Sequence, residues 1–189
     1  MISFCTGQSG QHAHTRRAFD FYSTPAIAVE GLLKAEHFTP NTRVWEPTAG
    51  DGAIANVLRA HGFPVICSDI VERAFPLHFT GDFFTQSKAP AGTTTIITNP
   101  PYQQAQRFAE HAINLVPDVF LLLRLAFLEA IRRTDLLEHR GLRAVHVLRR
   151  RLPRMHRDGW DGPRCSSSIA FAWFQWRAGF RGPPILNRI

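Results

Sequence analysis

The chain has 189 residues, of which 44% are hydrophobic and 20% charged, and it carries a formal net charge of +7. A chain of this length forms one domain and buries about 70% of its unfolded surface, which excludes any need for a disulfide or metal staple. Its excess charge is almost all arginine, since Lys34 and Lys88 are the only lysines. Guanidinium suits bidentate contact with phosphate and stacking on bases, so nucleic acid is the expected partner.

Cys5, Cys67 and Cys165 are far apart and form no C-x-x-C pair, and His12 and His14 have no second ligand pair nearby, so no metal site is expected. The start Met1-Ile2-Ser3-Phe4 lacks the basic and apolar regions of a signal peptide. The apolar stretch Val119–Leu128 is interrupted by Arg124 and is too short to span a bilayer. A cytoplasmic protein without membrane contact is the expectation.

Residues 1–19 are read as a loose arm, and 20–189 as a single domain. Asp20-Phe21-Tyr22-Ser23-Thr24-Pro25 leads into a helix over Ala26–Glu36, because a Ser or Thr before a Pro that opens an apolar period is a helix start. Arg43–Glu46 is a short strand ending in the glycine-rich Thr48-Ala49-Gly50-Asp51-Gly52, and Ala53–His61 is a helix that Gly62 stops. Val65–Ile70 is a second strand, ending in an acid. Val71–Lys88 is the least patterned stretch. Thr94–Thr98 is a β-branched strand running into Asn99-Pro100-Pro101-Tyr102. A helix over Gln103–Leu115, a buried strand over Val119–Leu123 and a helix over Ala126–His139 follow. Ala144–Leu148 and Ser168–Trp176 complete the strands, with the basic stretch Arg149–Arg164 between them. Short apolar strands alternating with helices predict an α/β domain with a mainly parallel sheet and helices on both faces. The last two strands lack a helix between them, which predicts an antiparallel strand at the sheet edge.

In such sheets ligands sit beyond the carboxyl ends of the strands, where the chain order reverses. Glu46-Pro47-Thr48-Ala49-Gly50-Asp51-Gly52 is a strand–loop–helix junction of that kind, with glycines that let backbone approach a ligand. Asp69 follows 17 residues after Gly52, near the spacing at which an acid bonds a ribose hydroxyl. This much implies an adenosine-containing cofactor, either a dinucleotide or S-adenosylmethionine. Two details favour the methyl donor. Pro47 and Ala49 stand where a dinucleotide site would want glycine, and Glu46 would repel pyrophosphate yet suits an ammonium and a sulfonium. Asp82, in Gly81-Asp82-Phe83-Phe84, is placed to accept from an adenine amino group with Phe83 packing on the ring; the other reading is a surface turn with two core aromatics.

Asn99-Pro100-Pro101-Tyr102 is a rigid loop, since consecutive prolines cannot sit in a central strand. The amino nitrogen of adenine or cytosine is a poor nucleophile because its lone pair is delocalised into the ring. Hydrogen bonds from its two N–H groups to the Asn99 side-chain oxygen and the Pro100 carbonyl draw it toward sp³ geometry. Tyr102 offers a face on which a flipped-out base can stack, worth ~1–3 kcal/mol.

Together Glu46-Pro47-x-x-Gly50-x-Gly52, Asp69, Asp82 and Asn99-Pro100-Pro101-Tyr102 resemble the ordered motifs of class I S-adenosylmethionine-dependent amino-methyltransferases of the DNA adenine-N6 type. The resemblance covers about residues 20–176. It implies a Rossmann-like fold with a mostly parallel seven-stranded sheet, S-adenosyl-L-methionine as cofactor, and methyl transfer to the exocyclic amino group of adenine in DNA. It implies catalytic roles for Asn99, Pro100, Pro101 and Tyr102. The cofactor is expected on Tyr22, Thr24, Glu46, Pro47, Ala49, Gly50, Gly52, Asp69, Ile70, Asp82, Phe83 and Asn99. Tyr22 and Thr24 lie in the segment that such enzymes close over the methionine end. RNA and protein-glutamine methyltransferases share the catalytic motif, and a catalytically silent relative is a further alternative. DNA enzymes with this motif order normally carry a target-recognition domain after the core, for which Arg177–Ile189 leaves no room. Nucleic-acid contact is expected from Arg149, Arg150, Arg151, Arg154, Arg157 and Trp160 in the basic stretch, giving salt-dependent affinity. Ser166–Ser168 are placed beside the target pocket by position alone.

Overall fold

The computed structural model describes residues 22–152 and 169–189. Eight strands form one sheet: β1 Val44–Glu46, β2 Val65–Asp69, β3 Phe79–Thr80, β4 Thr95–Thr98, β5 Asp118–Arg124, β6 Leu142–Val147, β7 Phe171–Arg177 and β8 Ile185–Arg188. Their order across the sheet is β3-β2-β1-β4-β5-β7-β6-β8. Every neighbouring pair is parallel except β5–β7 and β6–β7, so β7 alone runs against the rest.

Three α-helices accompany the sheet: α1 Ala26–Ala35, α2 Ala53–Ala60 and α3 Ala105–Ala112. Alternation along the strands divides the core into two layers. On one face Phe120, Leu122, Phe171 and Trp173 pack with Ala28, Val29 and Leu32 of α1 and Ile54 and Leu58 of α2. On the other, Val119, Leu121, Phe174 and Trp176 pack with Phe108 and Ala112 of α3. Buried indoles need an acceptor for their N–H, and each of three finds one: Trp45 at Ser68 Oγ, Trp173 at the Ala28 carbonyl and Trp176 at the Leu136 carbonyl.

Three expectations are corrected. The sheet has eight strands rather than seven, because Ile185–Arg188 pairs in parallel with β6. The reversed strand β7 lies inside the sheet, paired along its whole length with β5 on one side and with β6 on the other. The physical reason is in its sequence: Phe171–Trp176 is buried at all six positions, apolar on both faces, and would be wasted at an edge. The helix expected over Ala126–His139 is replaced by 3-10 turns at Leu125–Glu129 and Ile131–Arg133 and one π-helical turn at Asp135–His139. The Trp176 indole takes the Leu136 carbonyl, and the Arg133 Nη1 donates to the Phe127 carbonyl, so side chains engage carbonyls that a regular ladder would use. Among the described residues no helix is long and apolar enough to cross a membrane.

Candidate active site

The order of the sheet reverses between β1 and β4, and the loops that follow these two neighbouring parallel strands leave the same end. They touch. Thr48 Oγ1 lies 2.6 Å from Thr98 Oγ1, and the Thr48 hydroxyl reaches the Asn99 carbonyl at 3.3 Å. The glycine-rich loop and the Asn99-Pro100-Pro101-Tyr102 loop therefore meet at the switch point, where ligands sit in sheets of this kind.

The first loop folds back on itself through Gly52 N–H to the Ala49 carbonyl at 2.7 Å, and it is tied to β2 by Ala49 N–H to the Ser68 carbonyl at 3.0 Å. Gly50 and Gly52 have φ of 57° and 76°, a conformation natural only to glycine. Gly52 has a second constraint, because a Cβ there would stand 2.2 Å from the Phe75 ring. Asp69 closes the loop from the β2 side: its Oδ2 accepts from the Gly50 N–H at 2.9 Å and its Oδ1 from the Val71 N–H at 3.2 Å. Arg73 pairs with Oδ1 at 3.2 Å. Ile70, beside this acid, exposes 46% of its surface, whereas Pro47 and Ala49 are buried.

Glu46, at the end of β1, is 1% exposed. Burial pushes its carboxyl well above the ordinary carboxylate range; the Ala55 N–H and Arg59 oppose the shift, while Asp51 and Asp69 add to it. Its Oε2 has no hydrogen-bond partner among the described residues. Such an atom is costly unless something polar meets it. Opposite Glu46 in the β1–β2 ladder, burial raises the Cys67 thiol to about 12, with the Glu46 charge adding to the shift. This thiol is inert.

In the second loop Asn99 Nδ2 donates to Thr24 Oγ1 at 3.1 Å and to the Tyr22 carbonyl at 3.4 Å, which fixes the plane of the amide. Tyr22 thus meets the loop twice, for its ring stacks with that of Tyr102 at 6.2 Å between centroids. Tyr102 also packs on Phe171 at 5.8 Å, and the Arg124 guanidinium lies 5.2 Å over its ring. Pro100 is buried, and Pro101 and Tyr102 are partly exposed.

The structure brings Tyr22, Thr24, Glu46, Gly50, Gly52, Asp69 and Asn99–Tyr102 to one end of the sheet. Phe83 is elsewhere: it is 5% exposed in the core, stacked on Phe108 at 4.1 Å and tilted against Trp45. The alternative reading of that segment, a turn carrying core aromatics, fits this placement. Asp82 Oδ1 accepts from the Phe84 N–H at 2.9 Å, capping the short 3-10 turn Phe83–Thr85. Arg149, Arg150 and Arg151 are exposed just beyond β6, on the same end as Tyr102 but three strand positions from β4, roughly 14 Å. Arg154, Arg157, Trp160 and Ser166–Ser168 lie outside the described residues, as do His12, His14 and residues 1–19. Sequence reasoning missed Thr48 and Thr98, Arg73 on Asp69, and Arg124 over Tyr102. The pairs Thr48–Thr98 and Arg124–Tyr102 join residues distant in sequence, so no local pattern announces them.

Among the described residues no group of three or more His, Cys, Asp or Glu could hold a metal ion. The architecture is the Rossmann-like methyltransferase fold, with an eighth strand added beyond β6. No family model matches the chain, and no curated protein matches it by sequence. Among solved structures it is similar to PH1948 from Pyrococcus horikoshii, assigned as an RNA methyltransferase, with a TM-score of 0.60, 16% identity, and coverage of 84% of this chain and 87% of that one. A dimethyladenosine transferase from Plasmodium falciparum matches with a TM-score of 0.56 and 13% identity, over 83% of this chain and 62% of that one. A modification subunit assigned to a type I restriction enzyme from Vibrio vulnificus YJ016 matches with a TM-score of 0.55 and 13% identity, over 89% of this chain and 47% of that one.

Proposed function

We propose that this chain is an S-adenosylmethionine-dependent methyltransferase acting on the exocyclic amino nitrogen of adenine in DNA, with residues 20–189 as its single catalytic domain. The observation that carries the reading is the contact between the two loops through Thr48, Thr98 and Asn99.

The residues of the cleft fit S-adenosylmethionine. The unpartnered Oε2 of Glu46 is an acceptor waiting for a cation, and Asp69 and the exposed Ile70 offer a ribose acceptor and an apolar face for adenine. In this reading Asp82, which follows β3, accepts from the adenine amino group. When bound, this cofactor supplies an electrophilic methyl carbon on a sulfonium, which departs as a neutral thioether with the carbon–sulfur electron pair. The remaining work falls to the chain. Asn99 Oδ1 and the Pro100 carbonyl accept from the two N–H groups of the target amine, concentrating its lone pair toward the methyl carbon. As the nitrogen–carbon bond forms the amine turns acidic and releases one proton to solvent, so no strong base is needed beforehand. Thr24 and Tyr22 hold the Asn99 amide in plane, and Tyr102 supplies a face for the base. In-line positioning provides the rest of the rate.

Methylation of RNA is the second reading, favoured by the similarity to PH1948. The experiment that tests the site is a pair of variants. Asn99→Ala is expected to keep the S-adenosylmethionine-induced rise in Tm while methyl transfer drops about 100- to 1000-fold. Asp69→Ala is expected to lose the Tm rise as well. Unimpaired transfer by Asn99→Ala would remove that residue from the mechanism.

A further inference from the structure

β8 is the strand this fold adds beyond β6, and the two run parallel with Val147 opposite Arg188. Both carboxyl ends therefore point to the end of the sheet that carries the Asn99 loop. That edge is pinned. Ile189 N–H donates to the Val147 carbonyl at 2.9 Å, and Arg149 N–H donates to the Ile189 carbonyl at 2.7 Å. The Ile189 side chain lies against Gly31 of α1, where an added Cβ would stand 3.3 Å from its Cδ1. Leu152 is 2% exposed, within the core layer that packs with α1. The run Arg149-Arg150-Arg151 is thus held at both ends, while these three residues and Arg188 are exposed.

Charge on this edge is one-sided. Residues 141–152 and 178–189, which hold β6, β8 and their flanking turns, contain six arginines and no Asp or Glu. Arg143 pairs with Glu36, and Arg181 precedes the amino end of β8, in a groove that Glu138 also lines. None of the other four is in an ion pair among the described residues. The helix packed on this edge, α1, contains one acid, Glu30, which lies 3.1 Å from His61 at the end of α2.

Four exposed guanidinium groups on one pinned edge suit a polymer of evenly spaced monoanions, which is a nucleic-acid backbone. The place of the edge sets where that backbone is held. β6 is three strand positions from β4 and β8 is four, roughly 14 and 19 Å. A strand of B-DNA advances about 3.4 Å along the axis per phosphate, so 14 to 19 Å across the strand ends spans about four to six base pairs. We infer that Arg149, Arg150, Arg151 and Arg188 form a phosphate-binding edge that holds duplex DNA about four to six base pairs to one side of the target adenine. This rests on the proposed function and adds to it a duplex partner and the place at which it is held. Contacts of this kind fix the position of a duplex without reading its sequence.

The test uses the full chain and a 24-bp duplex of G·C pairs with one A·T pair at its centre. In fluorescence-anisotropy titrations, Arg149→Gln and Arg188→Gln are each expected to lower the slope of log K against log salt by about 0.9, with an unchanged Tm. Replacing all four arginines with Gln is expected to lower it by about 3–4. Arg181→Gln, the same loss of charge before the amino end of β8, is expected to keep the wild-type slope. Neutral methylphosphonate linkages about four to six base pairs to one side of the adenine are expected to raise KM for methyl transfer about threefold or more in the wild type, and not in the four-arginine variant. The same linkages about nine base pairs away are expected to change neither. A slope that falls as much with Arg181→Gln as with Arg188→Gln would overturn the proposal, because net charge would then account for it. Equal competition by polyglutamate, or equal effects of neutral linkages at both distances, would overturn it as well. Slopes that fall as expected, in a protein that methylates no duplex, would keep the phosphate-binding edge and sink the proposed function instead.

Discussion

Thr48 and Thr98 face each other across the gap between the two loops, hydroxyl to hydroxyl at 2.6 Å, with Thr98 wholly buried and Thr48 also reaching the Asn99 carbonyl. The pair clamps the glycine-rich loop to the Asn99-Pro100-Pro101-Tyr102 loop. Thr98→Val removes one hydrogen bond from the half-buried Thr48 and is expected to cost about 1 kcal/mol, measured by urea unfolding. A cycle with Thr48→Val is expected to give a coupling of at least about 0.5 kcal/mol, and additive effects would show that the hydroxyls do not interact. Because misplacement by 1 Å can cost about 100-fold in rate, transfer is expected to fall by more than stability does.

Glu46 sets stability against binding. Its folded-state pKa is raised, so below about pH 4.5, where both states hold the proton, it imposes no pH-dependent loss. As the pH climbs past that value the unfolded chain releases its proton and the folded chain keeps it, so stability declines by about 1.4 kcal/mol per pH unit until the folded pKa is reached. Glu46→Gln removes this term. The variant is expected to melt higher than wild type at pH 7, with the difference shrinking toward pH 4, and to bind S-adenosylmethionine at least tenfold more weakly. A wild-type affinity for the cofactor that stays flat with pH would contradict the role given to this carboxyl.

Gly52 is tied to Phe75 by shape. Alanine at position 52 must adopt a left-handed φ and place its Cβ inside the Phe75 ring. Gly52→Ala is expected to destabilise by more than 2 kcal/mol, of which ~1–2 is backbone strain that remains in any background. The double variant Gly52→Ala/Phe75→Ala is expected to lose less than the two single effects combined, since the clash is gone. Calorimetric Tm values check both.

A polar cluster on the opposite flank governs acid stability. Burial would raise the Glu36 carboxyl, but the His146 ring close beside it and the hydrogen bonds and charge of Arg143 outweigh it, and the net shift is downward. Arg143 Nη1 reaches both carboxylate oxygens, at 2.9 and 3.0 Å, and His146 Nε2 lies 3.2 Å from Oε1. Because the folded pKa is depressed, this contribution is fully present above about pH 4.5 and is lost as the pH falls through the folded value. Glu36→Gln is expected to lower stability by about 3 kcal/mol at pH 7, near the low end for a buried pair because Arg143 is a quarter exposed. The loss is expected to shrink below pH 4, and a pH-independent difference would assign the effect to packing.

Local pattern was enough for α1, α2, β1, β2, β4 and β5, because each is bounded by a glycine, proline or acid and carries its own period. It failed where partners are distant. Phe171–Trp176 reads as a strand from its residues, but its place between β5 and β6 depends on burial of both faces at once. Residues 126–139 have helical composition, and the Trp176 indole and Arg133 side chain draw their carbonyls elsewhere. The site divides the same way. Gly50, Asp69, Asn99 and Tyr102 lie in short motifs after strands, so their gathering at one end of the sheet was legible. The clamp of Thr48 on Thr98 and the seat of Arg124 over Tyr102 arise only when β1, β4 and β5 come together. Phe83, assigned by motif position to the cofactor, packs with Trp45 and Phe108 in the core.

The proposed reaction is methyl transfer to adenine in DNA at the place where these two loops meet. Incubation of the full chain with tritiated-methyl S-adenosylmethionine and, in parallel, duplex DNA, RNA and protein, followed by digestion and chromatography, tests it most directly. Label recovered as N6-methyl-deoxyadenosine, and absent from the Asn99→Ala reaction, is the predicted result. Label confined to ribonucleosides or to amino acids, or no label in any substrate, would contradict it.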